Sequence, residues 1–188
     1  MDRTKAGMLF FLSSEAVFFS ILILTYMFYR SSPFNGHGPT PSNSLDPPTT
    51  GMYSLFLFAS SGTMWFAGRC LKWRWHGMLR ASLLATVALG AIFLYGQGKE
   101  YLRLISHQAT ISRNVFTTSF FTLTGFHGLH VLVGLVMLSI LFGLATAGDF
   151  KGPRSPAVEA ISLYWHFVDA VWVVIFGVVY LWTWVVVR

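Results

Sequence analysis

Two short motifs place ionisable side chains inside segments that are otherwise apolar enough to be membrane helices. Gly-Phe-His-Gly-Leu-His contains His127 and His130, and Tyr-Trp-His-Phe-Val-Asp contains His166 and Asp169. The two polar residues of each motif are three positions apart, so they share one face of a helix. A strongly polar group at bilayer depth costs at least a few kcal/mol unless it faces protein or water. Each pair is therefore a candidate functional site.

The chemistry open to these four side chains is either metal binding or hydrogen bonding between helices. Imidazole and carboxylate groups from two helices could hold zinc, non-haem iron or a haem. The two motifs supply only three His and one Asp, however, which is too few for a multi-haem or di-iron centre. A neutral imidazole offers one donor and one acceptor, so the four side chains could satisfy one another, backbone carbonyls or buried water. We expect His127 or His130 to reach the last apolar segment directly or through one water, with no metal bound. A role at a subunit interface or in proton transfer stays open.

Two glutamates occupy different settings in the apolar segments. Glu15 lies in the run Phe-Phe-Leu-Ser-Ser-Glu-Ala-Val-Phe-Phe, with no Lys or Arg of the same segment at a pairing distance. It must therefore be protonated, hydrogen-bonded across the bundle or open to a polar cavity, and the neutral acid is favoured. Glu100 lies at the far end of the third segment beside Lys99 and Arg103. We expect it to form a solvated ion pair at the membrane interface.

The composition indicates an integral membrane protein. Of 188 residues, 54% are hydrophobic and 11% are charged, whereas soluble domains carry about 25% charged residues. The net charge of +6 comes from Lys and Arg between or beside apolar runs, with no basic face interleaved with aromatics, so a nucleic-acid partner is not expected. The single cysteine, Cys70, excludes an internal disulfide and is interpreted as a small residue at a helix end.

Five apolar stretches are long enough to span a membrane. About 20 residues cross a hydrocarbon core of about 30 Å, and continuous apolar runs argue against the alternation of a β-barrel. The sequence therefore predicts an all-α bundle of five transmembrane helices forming a single membrane domain, residues 1–188. The connector from Arg30 to Gly51 contains five prolines, which forbid a regular helix there. The predicted spans are 6–29, 52–71, 78–98, 114–145 and 158–187.

Charge placement and small residues give an orientation and a packing hypothesis. With the N-terminus inside, eight of the 13 Lys and Arg residues fall on the cytoplasmic side, which favours a cytoplasmic N-terminus and an external C-terminus. Small side chains allow close approach of helix backbones in membranes. They form a stripe on the third span and a pair on the fourth: Ala81, Ala85, Ala88, Gly125 and Gly128.

Four blocks of the sequence together resemble subunit III of the haem–copper cytochrome c oxidases. Their order and spacing agree with that family, and the two His-containing blocks are specific signals. The five spans resemble the last five of the seven in the mitochondrial type. The blocks are Ser14 to Phe19, Gln97 to Tyr101, Thr124 to Val131 and Tyr164 to Trp172.

The resemblance implies an accessory subunit without redox centres in a proton-pumping terminal oxidase of aerobic respiration. Haems and copper would lie on partner subunits, with subunit I in direct contact and subunit II and a small subunit IV nearby, in some cases within a respiratory supercomplex. Family members stabilise subunit I, sustain proton uptake and hold phospholipid in a cleft between their first two helices and the rest. Glu15 matches the intramembrane carboxylate of the family that reacts with hydrophobic carbodiimides. The expected location is the bacterial cytoplasmic (inner) membrane.

Other readings of the chain remain as alternatives. A five-span subunit III also occurs in quinol oxidases, and a related protein accompanies some nitric oxide reductases, so chain length does not identify the electron donor. The motif blocks resemble the cytochrome c branch more closely. From the residues alone, a b-type cytochrome or stand-alone membrane enzyme using His127, His130 and His166 is a second class of hypothesis. A transporter built around Glu15 is a third, although no inverted repeat or broken helix pair supports it.

Overall fold

The computed structural model describes residues 3–30, 46–106, 115–150 and 152–182, and helices make up nearly all of these ranges. This confirms the prediction of an all-α membrane bundle. Five helices are present in the described part of the chain, and the last continues into a π-helical turn, Gly177–Leu181. They are α1 (Arg3–Arg30), α2 (Pro47–Lys72), α3 (His76–Ser106), α4 (Val115–Ala147) and α5 (Pro156–Phe176).

Four of these helices, α1, α3, α4 and α5, are long and apolar enough to cross a membrane. Helix α2 has 26 residues, which is long enough, but its sequence is more polar. Ser54, Ser60, Ser61 and Thr63 interrupt its apolar run, and all four side chains are buried or half-buried. Its polar groups therefore face the other helices. The predicted span over 52–71 is helical throughout, and its place as a fifth membrane crossing stays a prediction.

Two of the prolines in the predicted connector are the first residues of α2 and do not prevent a helix. Asp46 caps the helix, because its carboxylate accepts hydrogen bonds from the Thr49 backbone N–H at 3.3 Å and from the Thr49 hydroxyl at 2.8 Å. Pro47 and Pro48 fill the first turn, where a missing N–H has no intrahelical partner to lose. The expectation of an irregular connector was therefore wrong for 47–51, and the connector's residues 31–45 lie outside the described ranges.

Helices α2 to α5 form a closed ring in which each packs on its neighbours along the chain and α5 returns to α2. Helix α1 lies outside this ring, against α4 and α5. The largest fully buried side chains are Trp165 and Trp172 of α5. Their indole N–H groups donate to α2, Trp165 to the Ser60 hydroxyl at 3.0 Å and Trp172 to the Ser54 hydroxyl at 2.8 Å. The polar face of α2 thus fixes the depth of α5.

The space for the Trp165 ring is provided by glycines other than those that the sequence pattern suggested. A Cβ atom at Gly90 of α3 or at Gly134 of α4 would lie 2.8 or 2.7 Å from the Trp165 ring. The alanine stripe on α3 does not serve this purpose, since Ala81 and Ala88 are exposed. That expectation was wrong because the stripe faces away from the bundle, whereas the two glycines make room for a buried indole.

A Gly134→Ala substitution tests this packing against a matched control on the same helix. Both Gly134→Ala and Gly143→Ala gain helix propensity, but a Cβ at Gly143 meets nothing within 4 Å. We expect Gly134→Ala to be less stable than Gly143→Ala by about 1–3 kcal/mol, the usual cost of overpacking a core. Thermal unfolding of the two variants in detergent measures the difference, and equal stabilities would contradict the packing role.

Candidate functional site

Glu15 and His130 form a pair that joins α1 to α4. The Nε2 atom of His130 is 3.1 Å from Oε2 of Glu15, and both side chains are mostly buried. Its other ring nitrogen, Nδ1, is 2.7 Å from the carbonyl oxygen of Phe126. A carbonyl only accepts, so Nδ1 must carry a proton and donate it. Of the alternatives predicted for Glu15, the geometry shows a hydrogen bond across the bundle.

This arrangement leaves one proton between Glu15 and His130. If Nε2 of His130 is bare, it accepts a hydrogen bond only from a protonated Glu15 carboxyl. If Nε2 is protonated, the imidazolium pairs with a Glu15 carboxylate. The pair is neutral in both forms, so neither needs an unpaired charge in the apolar part of the bundle. A shift of that proton between Oε2 of Glu15 and Nε2 of His130, which are 3.1 Å apart, exchanges the two forms.

An apolar groove of about 270 Å³ lies beside the pair, between α1, α4 and α5. His130 forms part of its wall together with Phe11, Val133 and Tyr164. The hydroxyl of Tyr164 donates to the backbone carbonyl of His130 at 2.9 Å. The last span therefore contacts the backbone of His130, whereas the His130 imidazole points toward α1. The predicted hydrogen bond between His130 and the last span is thus present, but it is made by the backbone carbonyl of His130 and not by its imidazole.

His127 has a different environment although it belongs to the same motif. Its side chain is fully buried and stacks on the Trp172 ring, with centroids 4.8 Å apart and planes 24° apart. Phe93 and Phe19 approach it edge-on at 6.1 and 6.4 Å. Neither ring nitrogen has a hydrogen-bond partner among the described residues. His127 therefore meets the last span through aromatic stacking, where a hydrogen bond was expected.

His166 and Asp169 meet Ser61 of α2, and neither contacts the histidines of α4. The Ser61 hydroxyl donates to Oδ2 of Asp169 in a short contact, and its oxygen lies 2.9 Å from Nδ1 of His166. The second oxygen of Asp169, Oδ1, is buried without a partner in the described residues. The two pairs could have met, but the structure separates them because α5 turns this face to α2.

The polar face of α2 is the part of the site that sequence reasoning missed. Besides Ser61 it includes Thr63, whose hydroxyl lies 2.8 Å from that of Thr86 on α3. The available signal was the run Ser60 to Thr63, four small or hydroxyl residues in the middle of an apolar segment. Hydroxyl side chains at membrane depth commonly hydrogen-bond to neighbouring helices. The hydroxyls of this run identify α2 as the helix to which α5 forms its hydrogen bonds.

Glu100 is buried, not solvated. It is 5% exposed, accepts a hydrogen bond from the Arg103 guanidinium at 2.8 Å and lies 3.4 Å from the Thr50 hydroxyl. Lys99 contributes nothing to this pair, because its ammonium lies over the Tyr95 ring at 5.5 Å. The predicted ion pair forms with Arg103, but the expected solvation was wrong because α2 covers the carboxylate.

The titratable groups of the bundle are distributed over separate helix contacts. Glu15 with His130 joins α1 and α4, His166 with Asp169 joins α5 and α2, and Glu100 contacts α2. No set of three His, Cys, Asp or Glu side chains within the described ranges is placed to hold one metal ion. What this arrangement can do chemically is hold and exchange protons and align helices.

Comparisons with known proteins define the class of protein. The family model described as "Cytochrome c oxidase subunit III" matches residues 1–184. The cytochrome c oxidase subunit 3 of Synechocystis sp. is 37% identical, over 96% of this chain and 76% of its own. The corresponding protein of Corynebacterium diphtheriae is 34% identical, over 95% and 88%. That of Lumbricus terrestris is 33% identical, over 94% and 69%.

The chain therefore belongs to the cytochrome c oxidase subunit III family. This confirms the resemblance found in the motif blocks. Membership and the apolar helices make it a multi-pass membrane protein that assembles with other oxidase subunits.

A double-mutant cycle tests the link between Glu15 and His130. We expect Glu15→Ala and His130→Ala to be coupled by about 0.6–1.7 kcal/mol, the range measured for hydrogen bonds between membrane helices. The matched control combines Glu15→Ala with Ser61→Ala, since Ser61 bonds to α5 and not to α1. Unfolding free energies in detergent micelles give both coupling terms. Additive effects for Glu15 and His130 would show that the pair does not join the helices.

Proposed function

We propose that this chain is an accessory, non-redox subunit of a proton-pumping haem–copper terminal oxidase that oxidises cytochrome c and reduces oxygen to water. The observation that carries the proposal is the distribution of its intramembrane titratable groups. Most of them bond to a side chain on another helix, which suits a subunit that supports electron transfer carried out elsewhere. Haems and copper belong on the partners: subunit I in direct contact, and subunit II with a small subunit IV beyond it.

The same groups support a role in proton uptake by subunit I. Glu15 and His130 hold one proton between them, and their side chains are 19% and 15% exposed, so they are not sealed from the surroundings. A carboxyl–imidazole pair that exchanges its shared proton can take part in proton transfer at membrane depth, provided that a donor such as water supplies a proton as the pair releases one to an acceptor. Phospholipid is proposed as a further component, because the groove beside this pair has an almost wholly apolar wall suited to an acyl chain.

The cytoplasmic membrane of a bacterium, with the N-terminus inside, is the proposed setting. Lys5 contacts Glu159 at 3.8 Å, so α1 and α5 start at the same end of the bundle. Arg69, Lys72 and Arg154 line one cavity with them, and positive charge collects on the cytoplasmic side of membrane proteins. Labelling of a cysteine introduced in place of Lys5, from either side of sealed vesicles, tests this orientation.

Cytochrome c is proposed as the electron donor because the curated relatives are named cytochrome c oxidase subunit 3. A quinol oxidase, or a nitric oxide reductase with a related accessory protein, is the alternative. A copper-binding subunit II that purifies with this chain would support cytochrome c. A complex that oxidises quinol and contains no such copper would overturn that part of the proposal.

Removal of the chain tests the accessory role. We expect the complex purified from a deletion strain to keep nearly unchanged haem spectra, because no redox centre is assigned to this chain. Sustained turnover or proton uptake should fall, since the supporting groups are gone. Optical spectra and oxygen consumption over many turnovers measure the two effects, and re-expression of the chain is the control. A haem lost with the chain, or a Soret band from the isolated chain, would refute the proposal.

A further inference from the structure

A basic cavity lies at the end of the bundle where α1 and α5 begin and α2 ends. Its volume is about 290 Å³. Four cationic side chains and one carboxylate line it, so its charge is strongly unbalanced. The charged groups are Lys5, Arg69, Lys72, Arg154 and Glu159.

The carboxylate neutralises only one of these cations. Glu159 is 3.8 Å from the Lys5 ammonium. Among the described residues, no carboxylate lies within ion-pair distance of Arg69, Lys72 or Arg154. Cations gathered around one space repel each other unless an anion lies between them. The cavity therefore suits an anion, and arginine guanidinium groups match the geometry of phosphate oxygens.

The wall of the cavity below these charges is apolar apart from Ser162. One face of α2 carries Trp65, Gly68, Arg69 and Lys72 at helical spacing, so it changes from aromatic to basic along its length. The Arg69 guanidinium lies over the Trp65 ring, 4.8 Å from its centroid. Leu163 and Val158 continue the apolar wall on α5. A soluble anion would contact only the basic end of the cavity, whereas a lipid would contact both the basic end and the apolar wall.

We propose that this cavity binds the phosphate group of an anionic phospholipid, with an acyl chain along Trp65 and Leu163. Basic pockets between membrane helices hold lipid headgroups in this way. The site uses residues of this chain only, so it does not depend on the oxidase role proposed above. It lies between α1, α2 and α5, whereas the groove beside Glu15 and His130 lies between α1, α4 and α5.

The test uses the complex in which this chain is assembled, in detergent, titrated with phosphatidylglycerol and followed by native mass spectrometry. We expect Arg69→Gln with Arg154→Gln to weaken binding about 25-fold, because each charge near a headgroup contributes about fivefold. The matched control is Arg3→Gln, an exposed residue at the same end that does not line the cavity. It should bind like the parent chain.

A second variant keeps the charges and fills the space. A Cβ at Gly68 meets nothing within 4 Å, so Gly68→Leu should fold and yet exclude the lipid. Unchanged phosphatidylglycerol binding in Gly68→Leu and in the double arginine variant would overturn the proposal, as would equal binding of phosphatidylcholine. Displacement of the lipid by millimolar inorganic phosphate, with no preference for the acyl chain, would assign the cavity to a soluble phosphate and overturn the lipid assignment.

Discussion

The structure depends largely on one constraint: a polar group placed among apolar helices is stabilised when it finds a partner within the protein. Lipid offers no hydrogen bonds, and an unsatisfied polar group there costs several kcal/mol. Helix α5 shows how the chain meets this constraint. Both of its tryptophan indoles and its His166 and Asp169 bond to hydroxyls of α2. Because those hydroxyls lie at fixed steps along α2, the depth and rotation of α5 are set together.

The same constraint explains why α2 is the least apolar of the helices. Burying the serine hydroxyls of α2 costs little free energy when they face α5, because they find hydrogen-bond partners there. Facing lipid, the same hydroxyls would find none. Helix α1 is the opposite case, since it lies outside the ring and exposes Phe10, Val17, Leu24 and Phe28. Its carboxylate at depth, Glu15, turns inward to His130. This contact and the ion pair between Lys5 and Glu159 at the start of α1 help to orient a helix whose outer surface is nearly uniform in hydrophobicity.

Sequence reasoning found the helices because apolar runs of about 20 residues are a strong signal, and it found the family because its motifs are specific. It also placed His127 with His130, and His166 with Asp169, by helical spacing. It could not choose their partners, because spacing defines a face but not the helix that covers it. Glu100 was expected in water for this reason, since nothing in its own segment shows that Thr50 lies above it. The start of α2 was missed because prolines stop a helix inside but are accepted in its first turn.

The two histidines of one motif illustrate how little rotation separates different roles. Positions three apart on a helix differ by about 60° around its axis, as 3.6 residues make one turn. That angle is enough to point His127 at Trp172 inside the ring and His130 at Glu15 outside it. The inner imidazole has aromatic neighbours and no described hydrogen bond, so it acts as a flat packing surface. The outer one donates to a carbonyl and shares a proton with a carboxyl. A motif read as one site in the sequence is therefore two contacts, one that closes the ring and one that attaches α1 to it.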